Sequence, residues 1–179
     1  MNLGDLPYAS GVPDEVSRGF SQAEQLYSPA RMSQAIDRMA IGITVALQDQ
    51  NPVLLSLLPG GLFLTGQLMA RLVMPMQIGY LHIGGSAESQ HEPQASWRNS
   101  SHPELRGRNV LLVGDVLNCA STLQALRDWL LTQEVASSHY AVMVEQPAAD
   151  SSNRSAVADF VGVEAPNRRI FGCGTDFCG

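Results

Sequence analysis

The chain has 179 residues, 45% of them hydrophobic and 16% charged, and this composition is typical of one soluble folded domain and not of a disordered chain. Its formal net charge of −6 argues against a nucleic-acid partner, which requires a basic face. All 11 basic residues are arginine, which excludes chemistry that needs a lysine, such as a Walker P-loop or a Schiff base.

Targeting signals and metal clusters are not expected. No apolar run approaches the roughly 20 residues that a membrane helix needs. The N-terminus, MNLGDLPYASGVPDEV, lacks the basic and apolar regions of a secretory signal. The cysteines are Cys119, Cys173 and Cys178, and an odd number without regular spacing argues against disulfides and a zinc site. We therefore expect a cytoplasmic protein that does not bind membranes.

The first half of the chain predicts two helices around one buried strand. Residues 1–27 are rich in glycine and proline and are expected to wrap the surface. A helix is predicted from Pro29, because Ser28 is a good N-cap, proline fits the first helical position and apolar residues recur at helical spacing up to Leu47. PVLLSLL, residues 52–58, predicts a buried strand, and a helix over 62–73 follows the turn PGG.

The second half alternates apolar strands with a further helix. A second strand is predicted over 74–83, and a long polar loop follows over 84–108. The strand NVLLVGD and the helix STLQALRDWLLTQ then precede two final strands, SHYAVMVEQ and ADFVGVE. Apolar strands that alternate with helices predict a parallel sheet covered on both faces, with ligands at the carboxyl ends of the strands. We expect VLLSLL and NVLLVG to be interior strands.

The segment NVLLVGDVLNCASTLQALRDWLL, residues 109–131, has the shape of a phosphate site. An apolar strand ends in Asp115, a short polar turn follows, and a helix then begins. The N-terminus of a helix favours an anion, because its backbone N–H groups and its dipole both point at the ligand. The turn over residues 118–122 contains neither glycine nor an acid.

This segment resembles the phosphoribosyl-pyrophosphate motif of type I phosphoribosyltransferases, which has four apolar residues, two acids, two apolar residues and then Asp-x-Gly-x-Thr. Other stretches are similar, in the same order, to the hypoxanthine-guanine branch of that family. NPVLLSLLPGGLFLTGQLMARL resembles its first strand, pyrophosphate loop and helix, and MPMQIGYLHI resembles its second strand. DFVGVEAPNRRIFGCGTDF resembles its C-terminal purine-binding segment. The resemblance covers about residues 26 to 177.

The resemblance implies both a fold and a reaction. The fold is an α/β domain of the phosphoribosyltransferase type I class, with a central, mostly parallel sheet flanked by helices. It is expected as a single domain over residues 1–179, with a core at about 26–164 and a small hood from 1–25 and 165–179. The reaction joins a 6-oxopurine to phosphoribosyl pyrophosphate, with Mg²⁺, and gives a nucleoside monophosphate and pyrophosphate. The family also implies a homo-oligomer, by default a homodimer.

The resemblance assigns candidate site residues by position. Asp115 is the second member of an acid pair that holds the ribose hydroxyls, and Asn118 stands at the general-base position. The phosphate loop continues with Cys119, Ala120, Ser121 and Thr122; the pyrophosphate loop is Pro59 and Gly60; and the purine-binding residues are Gln146, Arg169, Ile170 and Asp176. Asp115 and Asp176 are also the candidate magnesium ligands.

Several positions depart from the family pattern. Gly114 replaces the first acid of the pair, and Asn118 cannot take up a proton at neutral pH. Ala120 stands where glycine is expected. Gln146 replaces the lysine that would read the purine 6-oxo group, and its amide is expected to donate one hydrogen bond instead.

Local alternatives stay open in the C-terminal and loop segments. Arg169 stands where an aromatic residue would stack on the base, unless Phe171 takes that role with a shift. The pair at 168–169 is either an anion site or a solvated pair. PGG is either a pyrophosphate loop or an ordinary turn, since Pro59 has no N–H for a phosphate.

Two functions stay open for the whole chain. One is a purine phosphoribosyltransferase of weak activity, which Asp115, Thr122 and Asp176 favour. The other is a catalytically inactive relative that binds a nucleotide or a protein partner and acts as a regulator or scaffold. The substituted motif positions and the absence of lysine favour this second function.

Overall fold

The computed structural model describes residues 14–82, 100–117, 120–147 and 158–175, and among them five parallel strands form one sheet. The strands are β1 (Val53–Leu58), β2 (Gln77–His82), β3 (Asn109–Leu117), β4 (Ser137–Glu145) and β5 (Phe160–Glu164). The helices are α1 (Asp14–Ser21), α2 (Pro29–Leu47), α3 (Leu62–Met69) and α4 (Ala120–Thr132). The strand order is β2-β1-β3-β4-β5, so the prediction of a parallel α/β sheet is confirmed.

Strands β1 and β3 are both interior strands, as their apolar runs predict. β1 pairs with β2 and β3, and β3 pairs with β1 and β4, always in parallel. Residues 53–57 and 110–114 are buried, because each strand is covered on both faces. Ser56 is the polar exception in β1, and the hydroxyl of Thr65 in α3 donates to its Oγ over 2.9 Å. This hydrogen bond removes the cost of burying both hydroxyls.

Helices cover both faces of the sheet. On one face, α2 and α3 pack against the sheet through a buried cluster that includes Ile36, Ile43, Leu47, Leu64, Leu68, Leu54, Leu111 and Met143. On the other face, α4 packs through a second cluster that includes Leu123, Leu126, Leu130, Leu55, Leu112, Tyr140 and Val142. The loops at the carboxyl ends of the strands are therefore held by a rigid base.

The start of α2 agrees with its sequence signals. Ser28 has an extended backbone, with φ −71° and ψ 156°, and its side chain accepts from the Arg31 N–H over 3.3 Å. Pro29 occupies the first helical position. The N-cap satisfies one of the N–H groups that the first turn leaves without a partner within the helix.

Two elements differ from the sequence-based predictions. Helix α1, for which no helix was predicted, forms within the segment that was expected to wrap the surface, and the ring of Phe20 lies 6.0 Å from that of Phe171. A helix of eight residues is marginal in isolation, so this tertiary contact favours it. Helix α3 ends at Met69 instead of residue 73, and beyond its C-cap Ala70 the Arg71 N–H donates to the carbonyl of Leu68, three residues back, over 2.9 Å.

The two ends of the described chain meet beside β5. The hydroxyl of Tyr27 donates to the carbonyl oxygen of Glu164. Arg168 forms an ion pair with Glu24, with 3.0 Å between Nη2 and Oε2. The bounds of the predicted core and hood stay a prediction. None of the helices in the described ranges has the length and apolar character needed to cross a membrane.

Candidate functional site

Asp115 lies at the carboxyl end of β3, directly against the loop that follows β1. A Cβ atom added at Gly60 would lie 2.3 Å from Oδ2 of Asp115, so the carboxylate occupies the space that a larger residue would need. A Cβ atom added at Gly61 would lie 2.3 Å from the carbonyl oxygen of Val113. The two glycines therefore allow the loop to approach β3 closely. The structure thus brings the predicted pyrophosphate loop and the predicted ribose ligand together.

Few backbone donors of the PGG loop are available to an anion. Pro59 has no N–H. The N–H of Gly61 donates to the carbonyl of Leu57 over 2.7 Å, and that of Leu62 donates to the carbonyl of Pro59 over 3.2 Å. Gly60 supplies the one loop amide that these turn hydrogen bonds do not use. As a pyrophosphate site, the loop offers much less than a ring of backbone amides.

The C-terminal turn packs on the same loop. Gly172 and Thr175 form an isolated antiparallel bridge, and Gly174 between them has φ +92°. A Cβ atom added at Gly174 would lie 2.9 Å from the Cβ of Phe63 and 3.1 Å from the carbonyl oxygen of Gly60. Glycine is required here both by its backbone angle and by the close approach. This covering contact was not predicted.

A tyrosine fills the place of the missing first acid. A Cβ atom added at Gly114 would lie 2.6 Å from the hydroxyl oxygen of Tyr140 and 3.3 Å from its Cε2 and Cζ atoms. Gly114 and Tyr140 come from adjacent strands, β3 and β4. Sequence reasoning missed Tyr140. The signal was a glycine inside an apolar strand, which often marks the close approach of another group.

The environment of Tyr140 keeps its hydroxyl protonated. Burial of the ring, and next the negative charge of Asp115, raise the pKa of Tyr140 well above its ordinary value of 10.0. Its backbone is fixed on both sides by Asp159, since the Tyr140 N–H donates to Oδ2 of Asp159 over 2.8 Å and the Asp159 N–H donates to the Tyr140 carbonyl over 2.9 Å. The hydroxyl of Tyr140 is therefore neutral, and its pKa responds to the charge of Asp115.

Gln146 holds the C-terminal segment. It is 7% exposed, and its Nε2 donates to the carbonyl oxygens of Pro166 and Arg168, each over 2.8 Å. The amide group has two hydrogens, so both are used in this arrangement. That the Gln146 amide donates to a ligand stays a prediction, and such donation would require one of these hydrogen bonds to break.

The predicted purine-binding residues after β5 lie at the surface. Arg168 forms an ion pair with Glu24. Its guanidinium would have to leave this carboxylate, or share it, to bind an anionic ligand. Arg169 is exposed and Ile170 is half-buried. Phe171 is 37% exposed and packs near Phe20.

The phosphate loop is described only at its end. Asn118, Cys119 and Asp176 lie outside the described residues, as do the side chains of Ala120 and Ser121. Helix α4 begins at Ala120, which places Thr122 in its first turn. The first-turn N–H groups have no partner within the helix. Among the described residues, the strand, its acid Asp115 and the start of the following helix therefore come in the order that the sequence predicted for a phosphate site.

A magnesium ion requires oxygen ligands, of which the described residues offer few. They contain no group of three or more histidine, cysteine or carboxylate side chains that could hold a metal. Asp115 alone fits a cation that ligand phosphates also coordinate, since magnesium is commonly held by one or two carboxylates together with phosphate oxygens. The described carboxylate of Asp115 thus fits a cation that arrives with the phosphate groups of a ligand.

The chain belongs to a family defined by the phosphoribosyl transferase domain, whose model matches residues 22–171. It is similar to the hypoxanthine-guanine phosphoribosyltransferase of Streptococcus pneumoniae (strain ATCC BAA-255 / R6), with 24% identity over 156 residues, 85% of this chain and 84% of that protein. It is also similar to the hypoxanthine-guanine-xanthine phosphoribosyltransferase of Tritrichomonas foetus, with 23% identity over 152 residues, 85% of this chain and 82% of that protein.

The fold agrees with solved structures of such proteins. The crystal structure of a hypoxanthine-guanine phosphoribosyltransferase from Bacillus anthracis aligns with a TM-score of 0.72 and 18% identity, covering 87% of this chain and 89% of that one. The hypoxanthine phosphoribosyltransferase of Trypanosoma cruzi aligns with a TM-score of 0.71 and 22% identity, covering 87% and 89%. The chain therefore has the phosphoribosyltransferase type I fold.

Proposed function

We propose that this chain is a purine phosphoribosyltransferase homologue that binds phosphoribosyl pyrophosphate and a 6-oxopurine and joins them slowly. Family membership supports the substrate class. The observation that supports the proposal is the close approach of Gly60 to the carboxylate of Asp115, because it joins the predicted pyrophosphate loop to the predicted ribose ligand at the carboxyl end of β3.

The residues would share the work as follows. The first turn of α4, with Thr122, binds the 5′-phosphate, and Asp115 accepts a hydrogen bond from a ribose hydroxyl. Catalysis in this chemistry is largely placement and stabilisation of developing positive charge, which the carboxylate of Asp115 supplies. When bound with phosphoribosyl pyrophosphate, Mg²⁺ supplies neutralisation of the leaving pyrophosphate.

Three departures favour a slow reaction. Asn118 cannot act as a general base, and general acid–base catalysis contributes roughly 10²–10⁴-fold. Gly114 removes one carboxylate from the acid pair. Gln146 uses both amide hydrogens to hold residues 166–168, so no charged donor reads the purine oxygen from that position. These losses affect one site, so their effects on rate need not add.

The second candidate function is a catalytically inactive, nucleotide-binding or regulatory protein. It is favoured by the contact of the C-terminal turn with Gly60 and Phe63, which covers the loop that would release pyrophosphate. Such a protein would keep affinity for a nucleoside monophosphate at the start of α4 while having no turnover.

One assay separates these functions. The protein is incubated with phosphoribosyl pyrophosphate, magnesium and hypoxanthine or guanine, and nucleotide formation is measured beside calorimetric titration with inosine 5′-monophosphate. Slow nucleotide formation that disappears in Asp115→Asn supports the enzyme. Nucleotide binding without turnover supports the second function, and absence of both contradicts both.

The family also suggests a cytoplasmic homo-oligomer. Its oligomeric state is measured by light scattering during size-exclusion chromatography, and a monomer at all concentrations would contradict this part of the proposal.

A further inference from the structure

The side chain of Tyr140 in β4 extends toward Gly114, near the carboxyl end of the neighbouring strand β3. In the register of β3 with β4, Leu112 is opposite Tyr140, and Gly114 is opposite Val142. The hydroxyl oxygen of Tyr140 nevertheless lies 2.6 Å from the Cβ position of residue 114, so the ring leans two residues toward the carboxyl end of the sheet. The ring is buried, with 5% of the residue exposed, and its hydroxyl is the atom nearest to the Cβ position at residue 114.

We propose that the Tyr140 hydroxyl replaces the missing carboxylate at position 114 as a ligand of a ribose hydroxyl. This inference rests on the proposed function, since it requires a ribonucleotide at the end of β3. The side chain reaches the position from the adjacent strand, and a glycine at 114 is what leaves room for it. Asp115 and Tyr140 then form a mixed pair of a carboxylate and a phenol.

The replacement changes the chemistry of the position. A carboxylate is charged and only accepts hydrogen bonds, whereas a phenol is neutral and both donates and accepts. Burial and the nearby Asp115 charge keep the phenol protonated. The site therefore carries one negative charge fewer than an acid pair, and Tyr140 can donate to the oxygen of a hydroxyl whose hydrogen is donated to Asp115.

The geometry allows the hydroxyl to be removed without moving the ring. The backbone of Tyr140 is fixed by two hydrogen bonds to Asp159, and the ring lies in the cluster beneath α4. Tyr140→Phe thus deletes one oxygen atom. Tyr80→Phe is a matched control, because Tyr80 is 42% exposed on the edge strand β2, at the opposite side of the sheet from β4.

The test is a comparison of nucleotides that differ by one hydroxyl. Inosine 5′-monophosphate and its 2′-deoxy and 3′-deoxy analogues are titrated calorimetrically into wild type, Tyr140→Phe and Tyr80→Phe. One hydrogen bond contributes about 0.5–1.5 kcal/mol, so Tyr140→Phe should weaken binding of the ribonucleotide by about 2- to 12-fold. It should leave unchanged the affinity for the analogue that lacks the contacted hydroxyl, and Tyr80→Phe should change neither.

The outcomes distinguish this inference from the function on which it rests. Equal weakening of all three nucleotides by Tyr140→Phe, or no weakening of any, would overturn the role of Tyr140 and leave the nucleotide site intact. Failure of the wild type to bind any of the three would overturn the proposed function and this inference with it. Thermal unfolding of each variant shows whether the comparison is made on folded protein.

Discussion

The hydroxyl of Tyr140 occupies the space that a side chain at position 114 would need. The interaction between the two positions can be measured as a coupling energy in a double-mutant cycle. Gly114→Ala places a methyl group 2.6 Å from the phenol oxygen in a buried strand. We expect it to lower the free energy of unfolding by about 1–3 kcal/mol, the usual cost of overpacking a core. In a Tyr140→Phe background the closest atom is absent, so the cost should fall. Urea denaturation of the four proteins gives the coupling.

Gly66→Ala is the control for that cycle. Gly66 lies in α3, and a Cβ atom added there meets no atom within 4 Å. Because alanine is the better helix former, Gly66→Ala should raise stability by roughly 0.5–1 kcal/mol. Additive effects of Gly114→Ala and Tyr140→Phe would show that the two residues do not contact each other as described.

The raised pKa of Tyr140 predicts a loss of stability at alkaline pH. The unfolded chain releases this proton near pH 10, whereas the folded chain retains it to higher pH because of burial and the Asp115 charge. Above about pH 10 the folded state therefore binds more protons, and the free energy of unfolding falls as pH rises. Its slope against pH, from urea unfolding between pH 9 and about 11, should be less steep in Tyr140→Phe.

Gln146 is predicted to be a structural residue of the C-terminal segment. Gln146→Glu keeps the shape of the side chain but removes both donors and places a carboxylate against the carbonyl oxygens of Pro166 and Arg168. Leaving buried polar groups unpaired costs about 1–3 kcal/mol. We expect a lower melting temperature for this variant. Gln50→Glu, at an exposed residue that donates to Ala46, is the control and should change it little.

Sequence reasoning was weakest at this scale. The motif identified Gly114 and Gln146 as departures from the family pattern. It did not reveal which residues contact them. The partners of Gln146 lie 20 and 22 residues further along the chain, and Tyr140 reaches Gly114 across a strand pairing. Such contacts depend on register and on side-chain direction, which a single sequence does not specify.

At the scale of elements, the loop between β1 and α3 contains two glycines with different neighbours. The added Cβ of Gly60 meets the carboxylate of Asp115, which is the end of a half-buried side chain and can move. The added Cβ of Gly61 meets backbone oxygens of Val113 in β3 and Leu57 in β1. A side chain at position 60 would therefore disturb the candidate site, whereas one at position 61 would disturb the packing of the loop on the sheet.

Alanine at the two positions should separate ligand binding from stability. Gly60→Ala displaces Asp115 and should weaken binding of inosine 5′-monophosphate by about 10- to 100-fold, the loss of a hydrogen bond to a charged group. Gly61→Ala should lower the free energy of unfolding by about 1–3 kcal/mol or more. Calorimetric titration and urea unfolding of both variants check this. Equal effects of the two substitutions on stability would contradict the assignment.

Element prediction succeeded where burial is repeated along the chain. The interior strands β1 and β3 are apolar on both faces and could be recognised from five or six consecutive residues. Helix α2 carries its own cap and proline. Helix α1, which contacts the C-terminal segment, was not predicted, and α3 ends earlier than predicted. The contact of α1 involves a distant part of the chain, which a local pattern does not reveal.

At the scale of the molecule, the site is built from segments far apart in sequence. Four segments meet near the carboxyl ends of the strands: the PGG loop, the end of β3, Tyr140 of β4 and the C-terminal turn. The parallel α/β pattern predicted that edge, and the family resemblance predicted which segments line it. Two contacts at this site could be recognised only in the structure. Tyr140 lies against Gly114, and Gly174 lies against Gly60.

We propose that this site carries out purine phosphoribosyl transfer at a strongly reduced rate. The most direct measurement is kcat for nucleotide formation from phosphoribosyl pyrophosphate, magnesium and hypoxanthine or guanine, for wild type, Asp115→Asn and Asn118→Asp. We expect wild-type turnover far below about 1–10³ s⁻¹, none in Asp115→Asn, and a gain of up to roughly 10²–10⁴-fold in Asn118→Asp. Turnover in the ordinary range by wild type, or turnover unaffected by Asp115→Asn, would contradict the account.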